Sequence, residues 1–182
     1  MLIMDPQVAL VSLLDGERLS LDAVPATTGM YGLRDHFGVV RYIGITDKGF
    51  ADRLRRHVGG DGNSHKFSSA YNAGRMYHTR HDALSCKVAG KLAKELRRAF
   101  ARRFCSASVL PIPGASKTVL EALERAVIAI APPENVAWNN ARALKATEPA
   151  AQVDELLASL AWGQERREAI GRQAARWSTI TG

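Results

Sequence analysis

The stretch GMYGLRDHFGVVRYIGIT, residues 29–46, constrains the fold more than any other part of the chain. TGMYGLRD and GVVRYIGIT read as the two strands of a hairpin, with DHFG (35–38) as the turn. Strands favour β-branched and aromatic residues, and glycine weakens them. Two triplets that pair glycine with tyrosine, Gly29-Met30-Tyr31 and Tyr42-Ile43-Gly44, therefore point to close backbone approach or to a working surface. Gly29 and Gly44 fit as points where the backbone yields to a neighbouring strand or to a substrate.

Around this hairpin the pattern alternates between helix and strand. VALVSLL (8–14) reads as a short strand or a buried lead-in. After Gly49, FADRLRRHV (50–58) reads as a helix, with Phe50, Leu54 and Val58 at i, i+4 and i+8. GGDGNSH (59–65) is a loop. A long helix is expected from about Ala83 to Phe104, with Val88, Leu92, Leu96 and Phe100 as its apolar ridge. SASVLPI (106–112) reads as a third strand. SKTVLEALERAVIAIA (116–131) reads as a helix capped by Ser116 and ended by Pro132-Pro133. Two more amphipathic helices follow, in AAQVDELLASLAW and QERREAIGRQAARW. The chain is thus expected to be an α/β core of few strands with a helical C-terminal extension.

Charge narrows the partners. Lysine and arginine number 25 against 18 acidic residues, a net charge of +7. Such an excess favours nucleic acid or an anionic membrane face. Lys87, Lys91, Lys94, Arg98 and Arg102 fall on one face of the expected long helix, with Arg97 and Arg103 beside them. The polar stretch 64–81 offers Lys66, Arg75 and Tyr77 as further contacts to nucleic acid. His78, His81 and Cys86 have incomplete spacing for structural zinc. Only Cys86 and Cys105 are present, which suits a reducing, cytoplasmic location. The N-terminal apolar run is interrupted by Asp5 and Pro6 and makes a poor signal peptide. No apolar stretch approaches the ~18 residues of a membrane span, so no membrane partner is expected.

The two triplets, ten residues apart, resemble the signature of the GIY-YIG nuclease family, with methionine in place of the first isoleucine. Two further elements extend the likeness. Arg53 and His57 form an R-x-x-x-H pair on the helix after the second triplet, and Leu123-Glu124 through Ile128 is followed by Pro132-Pro133-Glu134-Asn135. Arg55 and Arg56 compete with Arg53, and Glu121 with Glu124. Helical phase with His57 favours Arg53, and the L-E-x-x-x-I context favours Glu124. The resemblance covers about residues 27–140, with 59–82 as an insertion. Residues 1–26 are then a lead-in and 141–182 a helical extension. It implies a small, mainly antiparallel three-stranded sheet flanked by helices.

The resemblance also implies a chemistry. Glu124 would hold one Mg²⁺ or Mn²⁺, completed by waters and phosphate oxygens. Arg53 would fork onto phosphate. Tyr31, Tyr42 and His57 share the activation and orientation of water, the choice of base staying open. Asn135 and Asn139 both fit as supporting residues, as do Gly29 and Gly44, and Arg56 joins the basic residues facing nucleic acid. DNA is the expected partner, and RNA fits the same charge. Specificity would come from the insertion, the basic helix and the C-terminal helices, with homodimerisation as one route. The competing class is a GIY-YIG-fold binding module that has lost catalysis. A protein- or membrane-binding adaptor rests only on charge and the C-terminal helices.

Overall fold

The computed structural model describes residues 4–60, 65–79, 87–140 and 146–181. Two compact units are built from interleaved segments: Met1–Arg56 with Phe104–Arg142, and His57–Arg103 with Ala143–Gly182. Three strands, β1 (Gly29–Arg34), β2 (Val40–Thr46) and β3 (Ser106–Pro111), form one antiparallel sheet in the order β2-β1-β3. The helices in chain order are α1 (Pro6–Leu14), α2 (Phe50–Gly59), α3 (Lys66–Ala70), α4 (Lys87–Phe104), α5 (Lys117–Ile130), α6 (Ala137–Asn140), α7 (Ala150–Ser159) and α8 (Gln164–Thr181). Short 3₁₀ turns lie at Gly74–Met76 and Pro133–Val136. The expected α+β class, with its small antiparallel sheet and helical C-terminus, is therefore what the chain forms. Among the described residues no helix is long and apolar enough to cross a membrane.

In the first unit, β1 and β2 meet at a turn organised by Asp35. Its Oδ1 accepts the N–H groups of Phe37 (2.9 Å) and Val39 (3.0 Å), and its carbonyl accepts that of Gly38. Gly38 takes φ of 80°, a left-handed value that suits glycine. Residues 8–14 correct the strand reading: they lie in helix α1, a lead-in whose Ala9, Leu10 and Leu13 are buried. Asp5 caps it by accepting the Gln7 and Val8 N–H groups, and Pro6 occupies the first helical position. The two residues that break the apolar run are thus a helix start. Ala9, Leu10 and Leu13 of α1 pack with Met30 and Ile43 of the sheet and with Leu120, Leu123 and Val127 of α5.

The C-terminus of α1 is held by a buried cation. Arg34, at the end of β1, is 4% exposed and donates to the carbonyls of Leu13 (3.0 Å), Leu14 (2.6 Å) and Gly16 (3.3 Å). Ser108 of β3 donates to Leu13 as well (2.5 Å). The last carbonyls of a helix lack partners within it and carry its negative pole, so a guanidinium there is favoured.

In the second unit, Arg97 of α4 is 1% exposed and donates to Asn72 Oδ1 and to the Met76 carbonyl (3.0 Å). The same Asn72 oxygen accepts the His78 N–H at 2.8 Å. Arg97 therefore does not belong to a solvent-facing basic stripe. It sits on the helix face of Ala93 and Phe100, which is core. Phe100 packs on Tyr71, and α8 contributes Trp177 against Tyr77 and Gln173 to the Tyr77 carbonyl. The start of the long helix expected at Ala83, together with His81 and Cys86, lies outside the described residues.

Replacing Arg34 by methionine keeps bulk but removes the donor to the Leu14, Gly16 and Gly38 carbonyls, while Leu13 keeps Ser108. Urea unfolding followed by circular dichroism should show a loss of about 2–4 kcal/mol.

Candidate active site

Strand register explains why glycine sits in this hairpin. Tyr31 pairs with Gly44 and Leu33 with Tyr42, so both tyrosines rise from one face of the sheet. Their ring centroids are 6.0 Å apart. A Cβ on Gly44 would stand 2.6 Å from Tyr42 Cε1 and 2.7 Å from the Tyr31 hydroxyl. The Tyr31 ring lies across its neighbour's backbone, and only glycine leaves that space. Gly29 serves the other side: its φ is 147°, and a Cβ there would meet the Leu110 carbonyl of β3.

Helix α2 covers this face with Phe50 and Leu54, both fully buried. The Phe50 ring meets Tyr31 edge-on at 6.4 Å. Arg53, on the same helix, donates from Nε to the Tyr31 hydroxyl at 2.9 Å. It also hydrogen-bonds Tyr42, and the two phenols hydrogen-bond each other. Burial, with the neighbouring Tyr42 adding to it, pushes the Tyr31 phenol far above the ordinary tyrosine range; Arg53 opposes this and loses. Tyr42 is raised as well, by burial and then by the Glu124 charge, against the pull of Arg53. Burial works against the Arg53 charge, but the two phenol oxygens outweigh it, so its pKa rises. The trio is a fixed cation beside two neutral phenols.

Glu124 reaches this group from α5. Burial raises its pKa first, with Glu121 adding, while Arg53 and a hydrogen bond to the Ile45 backbone pull it down. That bond belongs to a larger pattern along the free edge of β2. Asn139 accepts the Ile43 N–H (2.9 Å) and donates to the Ile43 carbonyl (2.6 Å), as a fourth strand would. Asn135 donates to the Val40 carbonyl at 3.0 Å. Both asparagines thus bind the edge of the strand that carries Tyr42. An unpaired strand edge is otherwise a template for pairing with another chain.

Tyr42, Arg53 and Glu124 open onto one cleft of about 500 Å³ in the first unit. Arg56, Thr46, Asp47, Lys48, Asp52, Lys117 and Glu121 complete most of its wall. Asp52 is paired with Arg55 at 3.0 Å and Glu121 with Lys117 at 3.6 Å, so Lys48, Arg53 and Arg56 share the wall with the carboxylates of Asp47 and Glu124. Sequence reasoning missed Lys48 and Lys117. The signal for Lys48 was the Thr46-Asp47-Lys48-Gly49 turn, where the Thr46 hydroxyl accepts the Lys48 N–H (3.2 Å) and donates to the Gly49 carbonyl (3.2 Å).

The remaining residues named from sequence lie in the second unit. His57 is 2% exposed; its Nδ1 accepts the Lys66 backbone N–H at 3.3 Å and its ring meets His65. Lys66 is half-buried, which lowers its pKa. Arg75 is taken up by Glu148 and Asp154, and Arg98 donates to the Gly59 carbonyl at 2.9 Å. Lys91 is exposed, Lys94 is half-buried, and the Lys87 side chain lies outside the described residues. Comparison with protein-family models, curated proteins and solved structures found no match.

Gly44→Ala should cost about 1–3 kcal/mol in urea unfolding, because both rings would have to shift. The phenols give a second measurement. Since the Tyr31 pKa is higher folded than unfolded, its contribution to stability is complete below the ordinary value of 10.0 and is lost as pH rises beyond it. Ultraviolet difference titration of the wild type against Tyr31→Phe should therefore show no Tyr31 ionisation until the protein unfolds in alkali.

Proposed function

We propose that this chain is a divalent-metal-dependent endonuclease of the GIY-YIG type that hydrolyses phosphodiester bonds in DNA. The observation carrying the reading is the meeting of Tyr42, Arg53 and Glu124, from β2, α2 and α5, in one cleft. Motif resemblance had singled out these same side chains.

Among the described residues no group of three or more His, Cys, Asp or Glu is placed to hold an ion. Glu124 shares the cleft wall with Asp47, Asp52 and Glu121, and such a wall suits Mg²⁺, which keeps most of its waters and binds through one or two carboxylates plus substrate phosphate. Glu124 is the residue that would hold it. Bound there, the ion would supply an acidified water and a Lewis acid on the phosphoryl group. Arg53 would place its permanently charged guanidinium against the phosphate oxygens. Tyr31 fixes Arg53 by hydrogen bond and is a positioning residue, being fully buried. Tyr42, neutral and at the cleft wall, would act as a hydrogen-bonding group that orients the water or the phosphate. Neither phenol is in a state to take a proton at neutral pH. His57, buried and held by the Lys66 N–H, has no base role in this proposal.

Those neutral phenols also favour a second reading, a module that binds nucleic acid without cutting it. Purified protein with Mg²⁺ or Mn²⁺ separates the two: it should nick or cut plasmid DNA, and no product with either ion would leave only binding. Glu124→Gln should abolish cutting while DNA retention changes less than about twofold. Arg53→Lys should lower kcat by about 10²-fold or more, since a point charge does not replace the fork.

A further inference from the structure

At the tip of the β1–β2 hairpin, Phe37 is 69% exposed, although large apolar side chains ordinarily seek burial. The turn beneath it is rigidly built. Asp35 accepts the Phe37 and Val39 N–H groups through Oδ1, and its Oδ2 accepts Arg41 Nε at 2.7 Å. The His36 ring packs beside Phe37 with centroids 4.0 Å apart. Arg18, itself exposed, lies over the turn so closely that a Cβ on Gly38 would stand 2.5 Å from its guanidinium nitrogen. The only carboxylate of the turn, Asp35, is 5% exposed and consumed by these bonds. What reaches solvent is an aromatic ring beside the Arg18 guanidinium, on a turn already held by hydrogen bonds.

We propose that this tip is a stacking platform for an unpaired base of the nucleic-acid substrate, with Arg18 against the adjoining phosphate. The inference rests on the nucleic-acid part of the function proposed above and not on hydrolysis. One phenyl ring is far too small for a protein interface, which takes roughly 800 Å² per partner. It is a whole platform for one base, and such stacking is worth about 1–3 kcal/mol, roughly a 5- to 150-fold change in affinity. The Arg18 guanidinium and the chain's net charge of +7 favour nucleic acid over an apolar partner. At about 3.3 Å per strand residue, the tip stands on the order of 10–15 Å from Tyr42. That corresponds to about three to four base steps of a duplex. The stacked base would therefore be displaced from the bond being cut, and the protein would prefer DNA that is open or distorted at that offset.

The test uses the full chain, in chelator so that nothing is cut, and oligonucleotides carrying 2-aminopurine at an unpaired position scanned along a duplex. Wild type should quench the fluorophore. Phe37→Ala should lose the quench and bind the open DNA about tenfold more weakly, with binding to fully paired duplex changed less than about twofold. Phe37→Trp should restore both. The exposure of Phe37 leaves little to disturb in the fold, and circular dichroism checks this. Equal quenching and affinity in wild type and Phe37→Ala would overturn the platform while leaving the nuclease reading in place. Quenching that depends on Phe37 in a protein that never cuts would keep the platform and remove the nuclease. No retention of any nucleic acid would overturn both. Self-association in sedimentation that disappears with Phe37→Ala would assign the tip to a second copy and overturn the proposal.

Discussion

The outer edge of β2 is the constraint on which the first unit depends. A three-stranded sheet has two edges, and the backbone groups there need partners other than strands. Leu19 meets part of the need on β3 by pairing with Ala107. On β2 the partners are side chains from beyond β3: Asn135 and Asn139, with Glu124 at Ile45. One set of bonds thus closes the sheet and brings the carboxylate of α5 to the strand that bears Tyr42. Removing either asparagine would disturb the candidate site without touching anything bound in it.

Beside that edge, the tyrosines and Arg53 form a desolvated cluster at the wall of the cleft. Desolvation dominates the electrostatics of both phenols, and the nearby guanidinium is too weak to reverse it. The cluster is therefore better suited to holding a cation in place than to passing protons. Gly44 makes this possible, since any side chain there would separate the rings. Glycine strengthens the site by weakening the strand.

Local chemistry made much of this legible in advance. The hairpin, its DHFG turn, the third strand and the Ser116 cap all follow from short-range signals that tertiary packing did not override. Helix α1 was misread because PQVALVSLL is apolar nearly throughout, so its periodicity separates neither helix from strand; Asp5 and Pro6 were the usable cue. Arg97 was misread because charge suggested solvent. Its phase with Ala93 and Phe100 placed it in the core, where Asn72 and a carbonyl satisfy it. The roles of Asn135 and Asn139 could not be chosen from spacing, since what they bind is a strand edge almost a hundred residues earlier. The capture of Arg75 by Glu148 and Asp154 is equally non-local.

The interleaving of the two units has a consequence for synthesis. β1 meets β2 across a short turn, but its other neighbour, β3, is made only after the whole of His57–Arg103 has emerged. Until then the nascent hairpin has one bare flank and no helix α5 to cover its apolar side. Contacts between distant segments close slowly, and exposed strand edges invite wrong partners while they wait. The sheet therefore stays half-built during synthesis until Ser106–Pro111 has been added.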